Sequence, residues 1–304
     1  MRSSDFNRLI SDPLIAYSWV PSPAKLKIRE FGANNADKSS LFYRSGDILY
    51  TSHQNLPYVF NEFKSDCVVV AETGDSGLYQ DSKGNLNICP EYFPRRVQNQ
   101  IKEIPSNFKH IFLTNCDADF RRWPQITPLP LGIQAHQAAS IKDLINSGHC
   151  DSVKRNLLYV NFQPQTNPIR RPTFEFWRRQ SVPWAKVNFN FKSNLPNEVT
   201  CNLNYLWVNQ SYFTLCPEGN GLDSYRIWES LYLGAIPVVK NLMTYSHPDY
   251  VNMPIFKTSD MMQMKVTEEE LMKFRKDSVN LEFLTRSYWA NKINKALNIG
   301  NFKG

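Results

Sequence analysis

Short apolar runs, each ending in polar residues, recur along the chain in two series. The first series comprises residues 47–52, 67–71 and 110–114, and the second comprises residues 157–162, 185–189, 212–215 and 236–239. Runs of this length between polar turns are typical of buried parallel strands whose carboxyl ends open on a ligand crevice. The two series therefore predict an α/β protein with two separate sheets.

A polar stretch over residues 134–154 separates the two series, so we place the domain boundary within it. The first Rossmann-like domain is then residues 1–145 and the second is residues 146–284. Thr267 begins a helix, because three glutamates follow it and acidic side chains are favoured in a first helical turn. Another helix is expected within the C-terminal segment, residues 285–304.

The composition fits a folded enzyme without a membrane segment. Of 304 residues, 42% are hydrophobic and 13% aromatic, which excludes a disordered protein. No apolar run approaches the length of about 18 residues typical of a membrane-spanning helix, and no apolar segment follows the first arginine. We therefore expect a soluble, cytoplasmic protein with neither signal peptide nor membrane anchor. The six cysteines are scattered without a CxxC pair, so we expect reduced thiols.

The net charge of +7 allows three interpretations. Basic and aromatic residues interleave from Phe174 to Trp184, as they do in some nucleic-acid-binding surfaces. The charge also fits a solvated basic surface, or a surface that attracts anionic substrates. No recognised nucleic-acid-binding module is visible, so we expect no nucleic-acid partner.

The most informative segment is residues 212–239. It predicts a buried strand, a glycine-bearing turn over residues 217–221, a helix opened by Asp223 or Ser224, and a second buried strand. Such a turn directs main-chain N–H groups and a helix N-terminus to one point, where an anion binds well. Arg226 and Glu229 are three residues apart and share a helix face. They form either a ligand-binding pair or an ordinary ion pair on a solvated face.

This segment resembles the donor-site signature of the exostosin-like glycosyltransferases, which have the two-domain GT-B fold. The resemblance covers residues 215–239, and residues 156–172 and 129–133 are more weakly similar to other parts of the family. It implies that Arg226 and Glu229 hold the diphosphate and ribose of a UDP-sugar. The implied loop residues are Glu218, Gly219, Asn220, Gly221, Asp223 and Ser224, and those contributed by the weaker match are Asn161, Thr166, Arg170 and Arg171.

The resemblance also implies separate roles for the two domains. The first domain would bind a glycan acceptor, the second would bind the nucleotide sugar, and the C-terminal helix would return to the first domain. The reaction would be inverting and independent of metal, with the UDP-sugar as co-substrate and no other cofactor.

An inverting reaction needs a base that takes the proton of the acceptor hydroxyl. Glu72 and Asp75 are candidates because they follow the strand at 67–71, where glycines let the backbone approach a substrate. His53, which follows the strand at 47–52, is the third candidate. Each of them also fits a turn or a helix cap.

Two other functional interpretations remain open. Asp117 and Asp119 resemble the DxD pair of GT-A glycosyltransferases, which holds Mn²⁺ or Mg²⁺ against the diphosphate. The longer motif around Arg226 favours the metal-free alternative, because both sites would neutralise the same diphosphate. The third interpretation is a carbohydrate- or nucleic-acid-binding protein without catalytic activity.

Overall fold

The first half of the chain is built on a mainly parallel sheet. A computed structural model describes residues 3–16, 18–21, 42–72, 77–89, 99–148, 153–188, 197–261, 266–274 and 281–300. Five strands of the first half are Phe42–Ser45 (β1), Ile48–Thr51 (β2), Cys67–Ala71 (β3), Phe108–Leu113 (β7) and Ile126–Pro128 (β9). They form a sheet in the order β1-β2-β3-β7-β9, in which only β1 is antiparallel to its neighbour.

A smaller sheet lies beside the first. Its strands are Gly77–Gln80 (β4), Leu86–Cys89 (β5), Asn99–Ile101 (β6) and Cys116–Asp117 (β8). They are ordered β6-β5-β4-β8, and β8 runs parallel to β4 with Tyr79 opposite Asp117. Since β8 begins three residues after β7 ends, Asp117 lies close to the carboxyl edge of the first sheet.

The second half of the chain forms a separate five-stranded sheet. Its strands are Asn156–Val160 (β10), Ala185–Val187 (β11), Ser211–Leu215 (β12), Ile236–Lys240 (β13) and Phe256–Thr258 (β14). The order is β11-β10-β12-β13-β14, and all four pairings are parallel. All-parallel pairing places the carboxyl ends of the strands at one edge, which is where the glycine turn begins.

Helices connect and cover the sheets. They are Ser3–Ser11 (α1), Leu56–Glu62 (α2), Ala135–Asn146 (α3), Arg170–Gln180 (α4), Asn197–Asn209 (α5), Tyr225–Tyr232 (α6), Glu268–Lys273 (α7) and Arg286–Gly300 (α8). In the described part of the chain, none of the helices combines the length and the apolar character needed to cross a bilayer.

The structure confirms the seven predicted strands, with ends shifted by a few residues. β3 coincides with the predicted run, and all five of its residues are buried, as expected for a parallel strand covered on both faces. Thr267 is the N-cap of α7. Its hydroxyl accepts a hydrogen bond from the Glu270 N–H at 3.2 Å, and the Glu270 carboxylate accepts one from the Thr267 N–H at 3.1 Å.

Several elements differ from the sequence analysis, which predicted two sheets and not the four-stranded sheet of β4, β5, β6 and β8. The polar stretch at 134–154 contains helix α3, whose buried positions are Ala138, Ile141, Leu144 and Ile145. These positions recur at helical spacing, so the segment is amphipathic. Polar residues on the exposed face concealed this pattern.

The two halves are joined by buried contacts. The Tyr232 hydroxyl accepts a hydrogen bond from the Leu14 N–H at 2.8 Å and donates one to the Leu284 carbonyl. The Tyr250 hydroxyl donates to the Pro128 carbonyl at 3.3 Å. Helix α8 packs against β3 and β7 of the first sheet. The C-terminal helix therefore spans from the second half back onto the first.

The cysteines whose side chains the structure describes are unpaired by disulfides. Cys67, Cys89, Cys116 and Cys216 are all buried free thiols. Burial raises the pKa of Cys67 and of Cys216 to about 12, so these thiols are protonated and unreactive near neutrality. This agrees with the reduced state expected from the sequence for these four.

Candidate functional site

The glycine turn leads from a buried strand into a helix, as the sequence predicts. Strand β12 ends at Leu215, and Ser224, in an extended conformation, is the N-cap of α6. Within the turn, the Gly219 N–H donates to the Gly221 carbonyl at 3.1 Å. Because the first N–H groups of a helix have no partners within the helix, this end of α6 carries partial positive charge.

Arg226 and Glu229 form a largely buried ion pair on α6. The distance between Arg226 Nη1 and Glu229 Oε2 is 3.3 Å, and only 18% and 5% of the two side chains are exposed. The Tyr205 hydroxyl donates to Glu229 Oε1 at 3.4 Å. The pair is therefore not an ordinary ion pair on a solvated face, and that interpretation was wrong.

Arg226 keeps unused hydrogen-bonding capacity in this buried position. Within the described residues, its Nη1 has no partner of hydrogen-bond geometry apart from the ion pair itself. Burial lowers the pKa of Arg226, but Glu229 and Tyr159 raise it, and the net direction is upward. The guanidinium is therefore a permanent cation with a donor available to a ligand.

Arg170 holds the turn from the other side. Its Nε donates to the Glu218 carbonyl at 2.8 Å, and its Nη2 donates to the Pro217 carbonyl at 3.0 Å and to the Ser224 hydroxyl at 3.5 Å. Its guanidinium carbon lies 5.7 Å from the centre of the Phe162 ring. Arg170 thus connects the start of α4 to three positions of the turn.

Two arginines lie close together at this site. Burial and, to a lesser extent, the nearby charge of Arg226 lower the pKa of Arg170 to about 10. The repulsion shows that the two guanidinium groups are close enough to interact. Glu229 pairs with Arg226 and Glu218 pairs with Lys240, whereas Arg170 forms no ion pair with a described residue. The charge of Arg170 and the positive end of the α6 dipole therefore favour an anion here.

The other arginine of the predicted pair is placed differently. Arg171 is exposed, whereas Arg170 is 8% exposed. The sequence analysis placed both among the donor-binding residues. In the structure, Arg170 is occupied by carbonyl groups of the turn and Arg171 faces solvent, so the pair does not converge on one point.

A polar network at the end of β10 extends the site. Asn161 donates to the Tyr159 hydroxyl at 2.9 Å and also to Asn204 Oδ1, while the Tyr159 hydroxyl donates to the same oxygen at 2.7 Å. Burial raises the pKa of Tyr159, and the proximity of Arg226 opposes this. Thr166 donates to the Gln163 carbonyl at 3.3 Å and is partly exposed on the loop.

The sequence analysis missed Tyr159 and Tyr205 as components of this site. Tyr159 was counted only as part of an apolar run, and Tyr205 lies 24 residues before Glu229.

The Asp223 carboxylate accepts hydrogen bonds from two groups of the protein. Its Oδ2 accepts from the Leu131 N–H at 2.7 Å, and its Oδ1 accepts from the Trp228 indole N–H at 2.8 Å. Burial raises the pKa of Asp223 to about 7, against the lowering effect of these hydrogen bonds. The carboxylate thus connects the turn to the first half of the chain, and a contact of Asp223 with the donor stays a prediction.

Residue 221 must be glycine because its backbone lies close to Asn115 of the first half. A Cβ atom at this position would lie 2.6 Å from Asn115 Oδ1, which also accepts a hydrogen bond from the Asp223 N–H at 2.9 Å. Asn115 itself has a left-handed backbone with φ of 48°.

Two other predicted residues of the turn are partly buried. Glu218 forms an ion pair with Lys240 at 3.4 Å, and Asn220 is partly buried.

Two of the three candidate bases, His53 and Glu72, lie within the described residues, and both are buried. His53 is 0% exposed and burial lowers its pKa to about 4, so it presents no surface to an acceptor. Glu72 is 8% exposed, and its Oε2 accepts a hydrogen bond from the Val20 N–H at 3.0 Å. Asp75 lies outside the described residues. The structure therefore argues against His53 as the base.

Asp117 and Asp119 have separate partners. Asp117 Oδ1 accepts from the Thr244 N–H at 3.2 Å, and Asp119 Oδ1 accepts from the Arg121 N–H at 3.0 Å. In the part of the chain that the structure describes, no three His, Cys, Asp or Glu side chains are grouped so that they could share a metal ion.

One known protein family is similar to part of the second half of the chain. Residues 187–269 match the family described as the RXYLT1 C-terminal domain. The matched segment contains β12, the glycine turn, α6 and β13, and thus both Arg226 and Glu229. No curated protein shows significant similarity to the chain.

Proposed function

We propose that this protein is a glycosyltransferase that transfers a sugar from a UDP-sugar to a glycan hydroxyl with inversion. The observation that carries the proposal is the buried Arg226–Glu229 pair, which follows a glycine turn and lies near Arg170. A cationic helix start suits a diphosphate, and a carboxylate one turn further along the helix suits ribose hydroxyls. The match to the RXYLT1 C-terminal domain suggests a xylosyltransferase-like enzyme, so UDP-xylose is the first donor to test.

The proposed architecture is GT-B, with two Rossmann-like domains facing each other across a cleft. Two separate, mainly parallel sheets support this arrangement. The first domain, residues 1–145, would bind the acceptor, and the second, residues 146–284, would bind the donor. Residues 285–304 would return to the first domain, which the packing of α8 on β3 and β7 supports.

In this mechanism the protein itself neutralises the leaving UDP. Arg226 would donate hydrogen bonds to the diphosphate, and the N-terminus of α6 would add the positive end of its dipole. Arg170 would hold the turn in place and contribute charge without direct contact, because carbonyl groups occupy its donors. These charges are the reason we propose that no metal ion is needed.

A ligand screen followed by a turnover assay tests this proposal. UDP and the preferred UDP-sugar should raise the melting temperature, since a ligand at about 100 times its Kd adds about 2.7 kcal/mol of stability. ADP and GDP serve as matched controls for the base. Release of UDP from the sugar without added acceptor, and in the presence of EDTA, would then distinguish a metal-independent enzyme from a binding protein. A chain that responds to no uridine nucleotide would contradict the proposal.

A further inference from the structure

The Asp117 carboxylate, in the first half of the chain, contacts the backbone of the second half. Asp117 ends β8, and its Oδ1 accepts a hydrogen bond from the Thr244 N–H, 127 residues further along the chain, at 3.2 Å. The Met243 N–H also donates to this carboxylate. Asp117 therefore lies at the junction of the two halves, and part of its surface remains exposed.

The charged groups around Asp117 include the glycine turn itself. Glu218 of the turn and Lys240 at the end of β13 both interact electrostatically with the Asp117 carboxylate. Three further ionisable groups also interact electrostatically with Asp117: Tyr79 on β4, Tyr245 in the 243–246 segment and the adjacent Cys116. Asp117 is thus a first-half carboxylate within interaction range of the loop that leads to Arg226.

The environment of this carboxylate suits proton transfer. Burial raises the pKa of Asp117, the two backbone hydrogen bonds lower it, Glu218 raises it and Lys240 lowers it, with a net upward direction. A carboxylate made more basic by its surroundings is a better proton acceptor near neutral pH. Asp119, two residues along, accepts instead from the neighbouring Arg121 N–H within its own turn.

We propose that Asp117 is the catalytic base of the transfer reaction, an assignment that rests on the proposed function. Its carboxylate takes the proton of the acceptor hydroxyl as the hydroxyl oxygen forms a bond to the anomeric carbon of the sugar. The bond between that carbon and the β-phosphate oxygen breaks in the same step, and UDP leaves with the electron pair. The proton ends on Asp117 and returns to solvent after product release.

His53 and Glu72, the two candidate bases within the described residues, fit this role less well. His53 is completely buried, and the Glu72 carboxylate is buried against the Val20 N–H. The sequence alone pointed to a metal-binding role for Asp117 or to none.

The test compares Asp117→Asn with Asp119→Asn as a matched control. Asn retains an oxygen that can accept the Thr244 hydrogen bond, but it cannot take a proton. Asp117→Asn should lower kcat for UDP release from the preferred UDP-sugar by about 10² to 10⁴, with UDP affinity and melting temperature close to wild type. Asp119→Asn should leave kcat within a few fold of wild type.

A second pair of variants tests the same assignment if Asp117→Asn fails to fold. Asp117→Glu and Asp117→Gln have the same altered length, so they differ only in the carboxylate. The Glu variant should retain more activity than the Gln variant by at least tenfold. Equal activities, or near wild-type kcat in Asp117→Asn, would overturn the assignment. So would losses of UDP affinity and melting temperature in Asp117→Asn, which would indicate a structural tie between the halves. A wild-type protein that binds no UDP would instead reject the proposed function itself.

Discussion

Arg170 and Arg226 carry the same charge near the glycine turn, but their hydrogen bonds give them different tasks. Arg170 donates to the Glu218 and Pro217 carbonyls, so its charge holds the backbone. Arg226 pairs with the buried Glu229, and its Nη1 has no hydrogen-bond partner of proper geometry within the described residues. Since buried donors are normally satisfied, this one is the best candidate for a contact with a bound anion.

The burial of His110 predicts how the free energy of unfolding depends on pH. Burial, and to a lesser extent His247, lower the pKa of His110 from 6.5 to about 4, while Asp249 raises it and Lys292 lowers it. The unfolded chain then binds more protons below pH 6.5, so His110 reduces stability as the pH falls from 6.5 towards 4. The lost stability between about pH 7 and about pH 5 amounts to about 1–2 kcal/mol.

His110→Gln should remove this part of the acid sensitivity. Gln can keep a hydrogen bond to the Thr127 hydroxyl, which lies 2.7 Å from His110 Nε2. Denaturant unfolding at the two pH values measures the effect, and His136→Gln on an exposed face is the control. A drop in stability as large as that of wild type in His110→Gln would show that this histidine is not the source.

At the scale of elements, the turn between β12 and α6 is held by contacts from three separate parts of the chain. Arg170 binds it from the start of α4, Asn115 and Leu131 bind it from the first half, and Trp228 binds it from α6 itself. In the proposed donor complex, rigid positioning of this kind would keep main-chain N–H groups directed at the diphosphate without an ordering cost on binding.

Gly221→Ala tests how closely the turn must fit the first half. The new Cβ would lie 2.6 Å from Asn115 Oδ1, which is held by the Asp223 N–H. Overpacking of this kind costs about 1–3 kcal/mol of stability, and displacement of the turn should weaken UDP binding.

The matched background for this variant is Asn115→Gly, which removes the clashing amide and suits the left-handed φ of 48°. In that background Gly221→Ala should cost less, so the two effects on unfolding free energy should be non-additive. Additive effects would contradict a direct contact between the two positions.

At the scale of the whole molecule, buried polar contacts join the halves on several sides of the glycine turn. Tyr232 connects the Leu14 N–H to the Leu284 carbonyl, and Asp223 accepts from the Leu131 N–H. Helix α8 adds packing against β3 and β7. If the halves move relative to each other during catalysis, these contacts are the ones that would have to exchange.

Local patterns predicted the elements and the helix face well, because strand burial and helix spacing depend on neighbouring residues. β3, the N-cap Ser224 and the shared face of Arg226 and Glu229 all follow from short-range rules. The roles of individual side chains followed less well. The carbonyls that bind Arg170 lie 47 and 48 residues away, and the Asp223 carboxylate binds a group 92 residues away. Periodicity holds no information about such distant partners.

The most direct test of the central claim is the calorimetric Kd of UDP for wild type and for Arg226→Lys, with Arg171→Lys as the control. Lysine keeps a positive charge beside the buried Glu229 but loses the planar donor pair. UDP affinity should fall by about 1.5–3 kcal/mol in Arg226→Lys, the range for a hydrogen bond to a charged group, and should not change in Arg171→Lys. An unchanged Kd in Arg226→Lys, or equal losses in both variants, would contradict a diphosphate site at Arg226.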